Sequence, residues 1–243
     1  MISILAAYLR QSTTAILAVY SSLFIRQCIF CLYPSNRNIC SPCLAALPRL
    51  GQHCPQCAEP NHHGHICGEC LKKPPAFDRA ICPFLFQGPT AGLIQKLKRK
   101  NKVLGLECLQ SNLSEHLQSF EFDAVVPVPY HWKKLIWRGH DPTGQLASSL
   151  SKAINTPLLT GLTRIKATRS QQNLDKSQRQ SNVRRAFRCS PRFTQQIKGK
   201  NILLVDDVLT TGSTCHACAL LLKKHGAKSV TLACLARTPL EHQ

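Results

Sequence analysis

Acidic residues are scarce in this chain of 243 residues: 12 Asp and Glu stand against 31 Lys and Arg, a formal net charge of +19. An excess of that size favours phosphate polymers as partners, because each phosphate neutralised by a protein cation releases counterions. Long apolar runs are missing as well. The longest uncharged stretch, Gln11 to Ile25, has 15 residues and includes several Ser and Thr, short of the about 20 apolar residues that span a bilayer. No stable membrane insertion is expected. A secretory signal does not fit either, since no charged segment and small-residue cleavage site bracket the run, which continues into Phe24-Ile25-Arg26-Gln27-Cys28. Residues 1–27 are read as an amphipathic helix or an extended start. The 44% of apolar residues suffices for a packed core, in one large domain or one medium domain with a small appendage.

Cysteine is abundant and patterned. Eight of the 14 cysteines form four C-x-x-C pairs, Cys28/Cys31, Cys40/Cys43, Cys54/Cys57 and Cys67/Cys70. Each pair offers two thiolates to one metal ion, and two pairs complete the tetrahedral shell of Zn²⁺, so eight cysteines allow two structural zinc ions. A disulfide framework competes, but six further unpatterned cysteines would be endangered in an oxidising compartment, and a cytoplasmic location is expected. Four copies exceed what one thioredoxin-like redox site needs. Gaps of eight and nine residues, Cys31 to Cys40 and Cys57 to Cys67, suit sequential pairing into two knuckles; a cross-brace is the other arrangement. His53, His62, His63 and His65 lie among the cysteines and are read as solvent-facing loop residues.

Pro74-Pro75 closes this region, and apolar runs separated by basic stretches follow. The expected domains are an apolar or amphipathic segment (1–27), a cysteine-rich double zinc module (28–75) and an α/β domain (76–243). Ala80 to Phe86 reads as a strand, Leu93 to Leu97 as the start of a basic helix running into Lys98-Arg99-Lys100-Asn101-Lys102, Asp123 to Val128 as a buried strand and Thr143 to Ile154 as a helix. Strands Ile202 to Val205 and Ser229 to Leu235 flank a helix from Thr214 to His225, with Gly226 as its stop, a βαβ unit that implies a parallel sheet. Between them, Thr163 to Lys200 holds eleven Lys or Arg and one acid, Asp175. Its Gln, Ser and Asn content argues against a packed core, and it is read as a mobile basic loop or insertion.

The most informative stretch is Asn201-Ile202-Leu203-Leu204-Val205-Asp206-Asp207-Val208-Leu209-Thr210-Thr211-Gly212-Ser213-Thr214. Four apolar residues suit a strand covered on both faces, and Gly212 permits a tight turn into the helix. Amides and hydroxyls of Thr210 to Thr214 would meet a phosphate at the helix N-terminus, where unpaired N–H groups and the helix dipole favour an anion. Asp206 and Asp207, expected at the strand's end and facing the same ligand, would accept hydrogen bonds from vicinal ribose hydroxyls and help hold Mg²⁺.

This stretch resembles the phosphoribosyl pyrophosphate (PRPP) signature of type I phosphoribosyltransferases. The resemblance gives Asp206 and Asp207 the ribose, and Thr210, Thr211, Gly212, Ser213 and Thr214 the 5′-phosphate. It also implies a flexible loop closing over pyrophosphate, with Arg169, Lys176 and Arg179 as candidate catalytic residues there. Purine-salvage members carry Asp where this chain has Thr210, which turns the expectation away from purine transfer. Taken with Pro74-Pro75-Ala76-Phe77-Asp78-Arg79, Leu97-Lys98, Val126-Pro127-Val128-Pro129, Arg138-Gly139, Asn182-Val183 and Ala186-Phe187, the whole chain resembles the ComF family. After Arg138-Gly139 that family commonly continues Phe-Asn-Gln, whereas this chain has His140-Asp141-Pro142. The resemblance implies a type I phosphoribosyltransferase-like parallel sheet joined to an N-terminal zinc module. It also implies PRPP with Mg²⁺ as ligand, and a role in natural competence, with cytoplasmic single-stranded DNA and a competence helicase or processing proteins as partners. Transfer of ribose 5-phosphate to an unknown acceptor in nucleotide metabolism is the alternative. For DNA, Lys96 to Lys102 and Arg164 to Arg192 would follow the backbone. Tyr130, Trp132 and Trp137 would offer stacking faces beside Lys133, Lys134 and Arg138.

Overall fold

The computed structural model describes residues 26–97, 105–130, 139–165 and 186–240. Contacts divide the chain into two units, 1–46 and 47–243. Among the described residues no helix is long and apolar enough to cross a membrane.

The described part of the smaller unit is a cysteine knuckle. Its chain doubles back through a bridge between Gln27 and Pro34, Leu32 takes a left-handed φ of 61°, and helix α1 (Ser41–Ala45) starts directly after Cys40 with Pro in its first turn. The larger unit opens on a second knuckle of the same build. His53 bridges Pro60, Ala58 has φ 57°, and α2 (Gly68–Lys72) starts directly after Cys67. The backbone bonds repeat: Leu32 N–H donates to Cys28 O as Ala58 N–H donates to Cys54 O, and Cys28 N–H to Tyr33 O as Cys54 N–H to Glu59 O. The structure thus contains two knuckles of one design, each built from sequential pairs.

A parallel sheet follows, in the order β1-β7-β6-β3: Arg79–Ile81, Ser229–Arg237, Asn201–Leu209 and Ala124–Pro127. β2 (Phe84–Leu85) continues along β7 beyond the break at Cys82-Pro83. Both faces are covered, which explains the near-continuous apolar runs. On one face Ile202, Leu204, Val230 and Leu232 join Cys215, Cys218 and Leu222 of α7 (Ser213–Lys224) in the main core cluster. Their alternates Leu203, Val205, Ala233 and Leu235 are equally buried. By the two-residue period they face the side where α4 (Leu106–Leu117) and α5 (Pro142–Ala153) pack on the strands. Helix α3 (Gly88–Leu97) begins five residues before the expected Leu93. Gly226, at φ 90°, ends α7; its N–H bonds Lys223 O while Ala227 N–H bonds Leu222 O, the paired closure that a left-handed glycine makes at a helix end.

One departure from the family's pattern is accounted for and one expectation is corrected. The unusual His140-Asp141-Pro142 is a helix start: Asp141 caps α5 by accepting from Gly144 N–H at 3.0 Å, with Pro142 in the first turn. A Cβ on Gly144 would lie 2.4 Å from Asp141 Oδ2, so glycine lets the cap close. The described parts of the segment Thr163 to Lys200 form regular structure. β4 (Leu162–Arg164) pairs antiparallel with β5 (Phe187–Cys189), and α6 (Pro191–Ile197), capped by Ser190, buries Phe193 and Ile197 in the core. Its polar composition misled because two apolar residues at i and i+4 behind a Ser-Pro start are enough to dock one short helix. Residues 166–185 lie outside the described residues.

Phe193 is fully buried and sits against Gly161, where a Cβ would lie 2.4 Å from its own. Phe193→Ala should therefore lower stability by about 3–5 kcal/mol in urea unfolding; a loss below about 1 kcal/mol would remove this helix from the core.

Candidate phosphate loop and metal centres

β6 extends through Leu209, four residues past the expected end at Val205, so Asp206 and Asp207 lie within the strand and not beyond it. Pairing with β7 continues at Asp206, Val208 and Leu209. The alternation of a strand starts the two side chains on opposite faces, so the one ligand that both are expected to face would lie across the strand's end. Half-buried Asp206 accepts from the Asp207 N–H at 2.8 Å and from the Cys215 thiol at 3.5 Å. Although a hydrogen bond with Cys234 opposes it, burial and the Asp206 charge push the Cys215 thiol up, so it remains a protonated donor. Asp207 is buried and accepts from the Tyr130 hydroxyl at 3.0 Å. Burial first, and then the charges of Asp207 and Asp206, raise the Tyr130 pKa and keep it a phenol. Tyr130 is thus a half-buried partner of the acid, a role the sequence reading did not give it. Arg164, half-buried with its pKa lowered by desolvation, is held charged in part by Asp206.

The strand hands over to an exposed loop, Thr210 and Thr211, and to Gly212 at φ 71°. Gly212 stands at the N-cap of α7 and supplies no side-chain cap. First-turn amides are thereby left for an anion. Thr211 Oγ1 and Ser213 Oγ lie 3.1 Å apart, with Ser213 N–H directed at Thr211 Oγ1 at 3.5 Å, so hydroxyls and amides converge on one turn. A cavity of about 540 Å³ opens here, lined by Thr211, Ser213 and His216 together with Pro75, Cys57 and Cys70. Arg237, ending β7, is buried to 3% exposure. It pairs with Glu59 at 2.5 Å and donates to the carbonyls of Leu209 and Thr210. Sequence reading missed both partners. A lone acid after a C-x-x-C turn and a lone Arg closing an apolar strand were the signals available. Arg169, Lys176 and Arg179 lie outside the described residues, as do Trp132, Lys133, Lys134, Trp137, Arg138 and Lys98 to Lys102.

The expected cysteine ligands come together in two sequential groups, Cys28, Cys31, Cys40 and Cys43, and Cys54, Cys57, Cys67 and Cys70, each with its sulfurs within 4.8 Å. Sulfur separations of 3.7 Å for Cys31 and Cys40 and 3.6 Å for Cys57 and Cys67 match the about 3.8 Å edge of a tetrahedron with Zn–S near 2.3 Å. Disulfide sulfurs would stand about 2.05 Å apart, and all these cysteines are free. Cys40 N–H and Cys67 N–H point at the sulfurs of Cys28 and Cys54 at 3.4 and 3.3 Å, bonds that suit thiolates. The Cys31 backbone is the largest influence holding Cys28 down to about 6, while the Cys40 thiol is the largest influence pushing Cys43 up to about 12. Four thiols this close cannot all ionise without a cation between them. The donor set fits structural zinc, and His62, His63 and His65 stay exposed outside it. Metal analysis of the full chain should find two zinc ions, one of them lost in Cys31→Ser and one in Cys70→Ser; a single ion in the unaltered chain would contradict closed four-thiolate sites.

Comparison with known proteins agrees with both parts. Residues 138–241 match the family described as Phosphoribosyl transferase domain, and residues 19–71 the Double zinc ribbon domain. The larger unit therefore has the phosphoribosyltransferase-type α/β fold expected. The chain is similar to DNA utilization protein YhgH of Escherichia coli, 34% identical over 87% of this chain and 96% of that protein. It is likewise similar to Competence protein F of Haemophilus influenzae, 30% identical over 89% and 99%, and to Competence protein ComFC of Bacillus subtilis, 23% identical over 86% and 88%. Likeness running over nearly the whole length of such relatives, at 30% identity and above for two of them, settles the kinship: the chain belongs to the ComF family.

Proposed function

We propose that this protein binds PRPP with Mg²⁺ on the turn from β6 to α7 and acts in competence-linked handling of DNA. One observation carries the reading: a doubly covered strand delivers two carboxylates and, three residues later, a hydroxyl-lined glycine turn at an uncapped helix N-terminus. Thr210 to Thr214 would hold the 5′-phosphate through amides and hydroxyls, and Asp206 and Asp207 would accept from the ribose hydroxyls. Tyr130 orients Asp207 and Cys215 orients Asp206, so both acceptors are fixed before the ligand arrives. Mg²⁺ would offset the charge of pyrophosphate. Arg169, Lys176 and Arg179 are proposed to meet the same charge, which suits the basic composition of their segment.

The DNA part rests on the names of the relatives and on the net charge of +19. A phosphate turn that takes a sugar phosphate has the chemistry to take a nucleic-acid phosphate, and the protein is proposed to meet single-stranded DNA in the cytoplasm together with competence processing proteins. Pentosyl transfer is the second reading, favoured by the cavity of about 540 Å³ beside the turn, which has room for an acceptor.

Calorimetric titration of PRPP with Mg²⁺ into the zinc-loaded chain tests the reading. Binding is expected, weakened roughly ten- to a hundredfold in Asp206→Asn/Asp207→Asn by loss of charge-assisted hydrogen bonds, and equal affinity in both proteins would sink the assignment. A second arm titrates a single-stranded oligonucleotide, whose affinity should fall steeply between low and physiological salt.

A further inference from the structure

We propose that Glu59 and Arg237 form a latch through which metal binding at the second knuckle holds the phosphate turn in place. This deepens, and rests on, the reading of that turn as a phosphate site. The two knuckles share their backbone bonds, yet the residue after the left-handed position differs: Tyr33 is 75% exposed in the first, whereas Glu59 is 4% exposed in the second. The second knuckle is therefore built to reach inward. Glu59 is tied to the ligand turn, because its carbonyl accepts from Cys54 N–H at 2.8 Å and Ala58 N–H bonds Cys54 O at 2.8 Å. Cys54 and Cys57, with Cys67 and Cys70, would hold the cation, which would tie down the turn that carries Glu59.

From there the chain of contacts is short. The Glu59 carboxylate takes Arg237 Nη2 at 2.5 Å and Leu240 N–H at 3.0 Å. Arg237 Nη1 donates to Leu209 O at 2.9 Å and to Thr210 O. Thr238 N–H adds a second donor to Leu209 O at 2.9 Å. The first carbonyls of the phosphate turn are thus gripped by a guanidinium whose charge only Glu59 offsets by direct pairing among the described residues. A planar fork can bridge a carboxylate and two carbonyls at once, which an ammonium cannot do in the same geometry. The cavity is a second sign of the link, since Cys57 and Cys70 share it with Thr211 and Ser213. Any ligand on the turn then lies beside the metal-bearing knuckle. Coupling of this kind is reciprocal: zinc tightens phosphate binding by the same factor by which the phosphate ligand retains zinc. Glu59 and Arg237 act as positioning residues.

Amide hydrogen exchange over residues 209–214 of the full chain tests the latch without requiring PRPP. Partial zinc removal from the second knuckle, and Glu59→Gln with its zinc content verified, should each speed exchange in this window. Zinc loss through Cys31→Ser in the first knuckle should leave it unchanged. If Glu59→Gln fails to fold, Arg237→Lys and the stripped unaltered chain carry the same comparison. Unchanged exchange at 209–214 after loss of zinc from the second knuckle would overturn the latch. In a parallel arm, PRPP with Mg²⁺ should slow zinc extraction by a chelating dye roughly 5- to 150-fold, and Glu59→Gln should abolish the slowing. Failure of PRPP to bind would sink the PRPP reading alone, since the exchange result still decides the latch.

Discussion

Strand β6 is hydrogen-bonded on both edges, to β3 and β7, and covered on both faces, and the placement of every candidate binding residue follows from that confinement. A strand so held cannot slip by one residue without turning its whole apolar set the wrong way. Its register therefore fixes which face each of Asp206 and Asp207 addresses. It also fixes where the chain leaves the sheet. At that exit the backbone must reverse into α7 within three residues, and Gly212 at φ 71° is the residue that makes the reversal without strain. Ligands of open parallel sheets gather at such exits because the next helix presents its unpaired amides there.

The surroundings of the acids serve the same end. A carboxylate buried to the extent of Asp207 is costly unless hydrogen-bonded, and Tyr130, delivered by the end of β3, supplies that bond. Cys215, in the first turn of α7, does the same for Asp206. Acceptors held by neighbours whose own protons stay in place are fixed before any ligand arrives. The knuckles contribute rigidity that about 20 residues apiece could not find in a core of their own, since four thiolates around one ion fold the turn outright. Only the second has a buried charged residue at its reversal, and it alone belongs to the unit that carries the turn.

Much of this was legible in the residues. Apolar runs without alternation announced strands buried on both sides, the cysteine spacing announced four-cysteine groups fit for zinc, and the Asp-Asp and Thr-Thr-Gly-Ser-Thr pair announced a strand running through a glycine turn into a helix. What stayed hidden was whatever depends on partners distant in the chain. Glu59 and Arg237 are separated by 178 positions, and no local pattern links them. Tyr130 looked like a free aromatic because its hydroxyl partner lies 77 residues away. The continuation of β6 through two charged residues was unreadable, because Asp is depleted in strands generally and only a bound neighbour on each side makes it acceptable. Composition misled most in Thr163 to Lys200. Basic and amide residues there concealed Phe193 and Ile197, whose burial needed only one helical turn of correct spacing.

The PRPP proposal turns on whether the β6–α7 turn takes the 5′-phosphate. A crystal of the zinc-loaded chain soaked with PRPP and Mg²⁺ tests it most directly. The phosphate is expected within hydrogen-bonding distance of the amides and hydroxyls of Thr211 to Thr214, with the ribose hydroxyls on Asp206 and Asp207. A sugar phosphate bound elsewhere on the chain, with this turn bare, would contradict it.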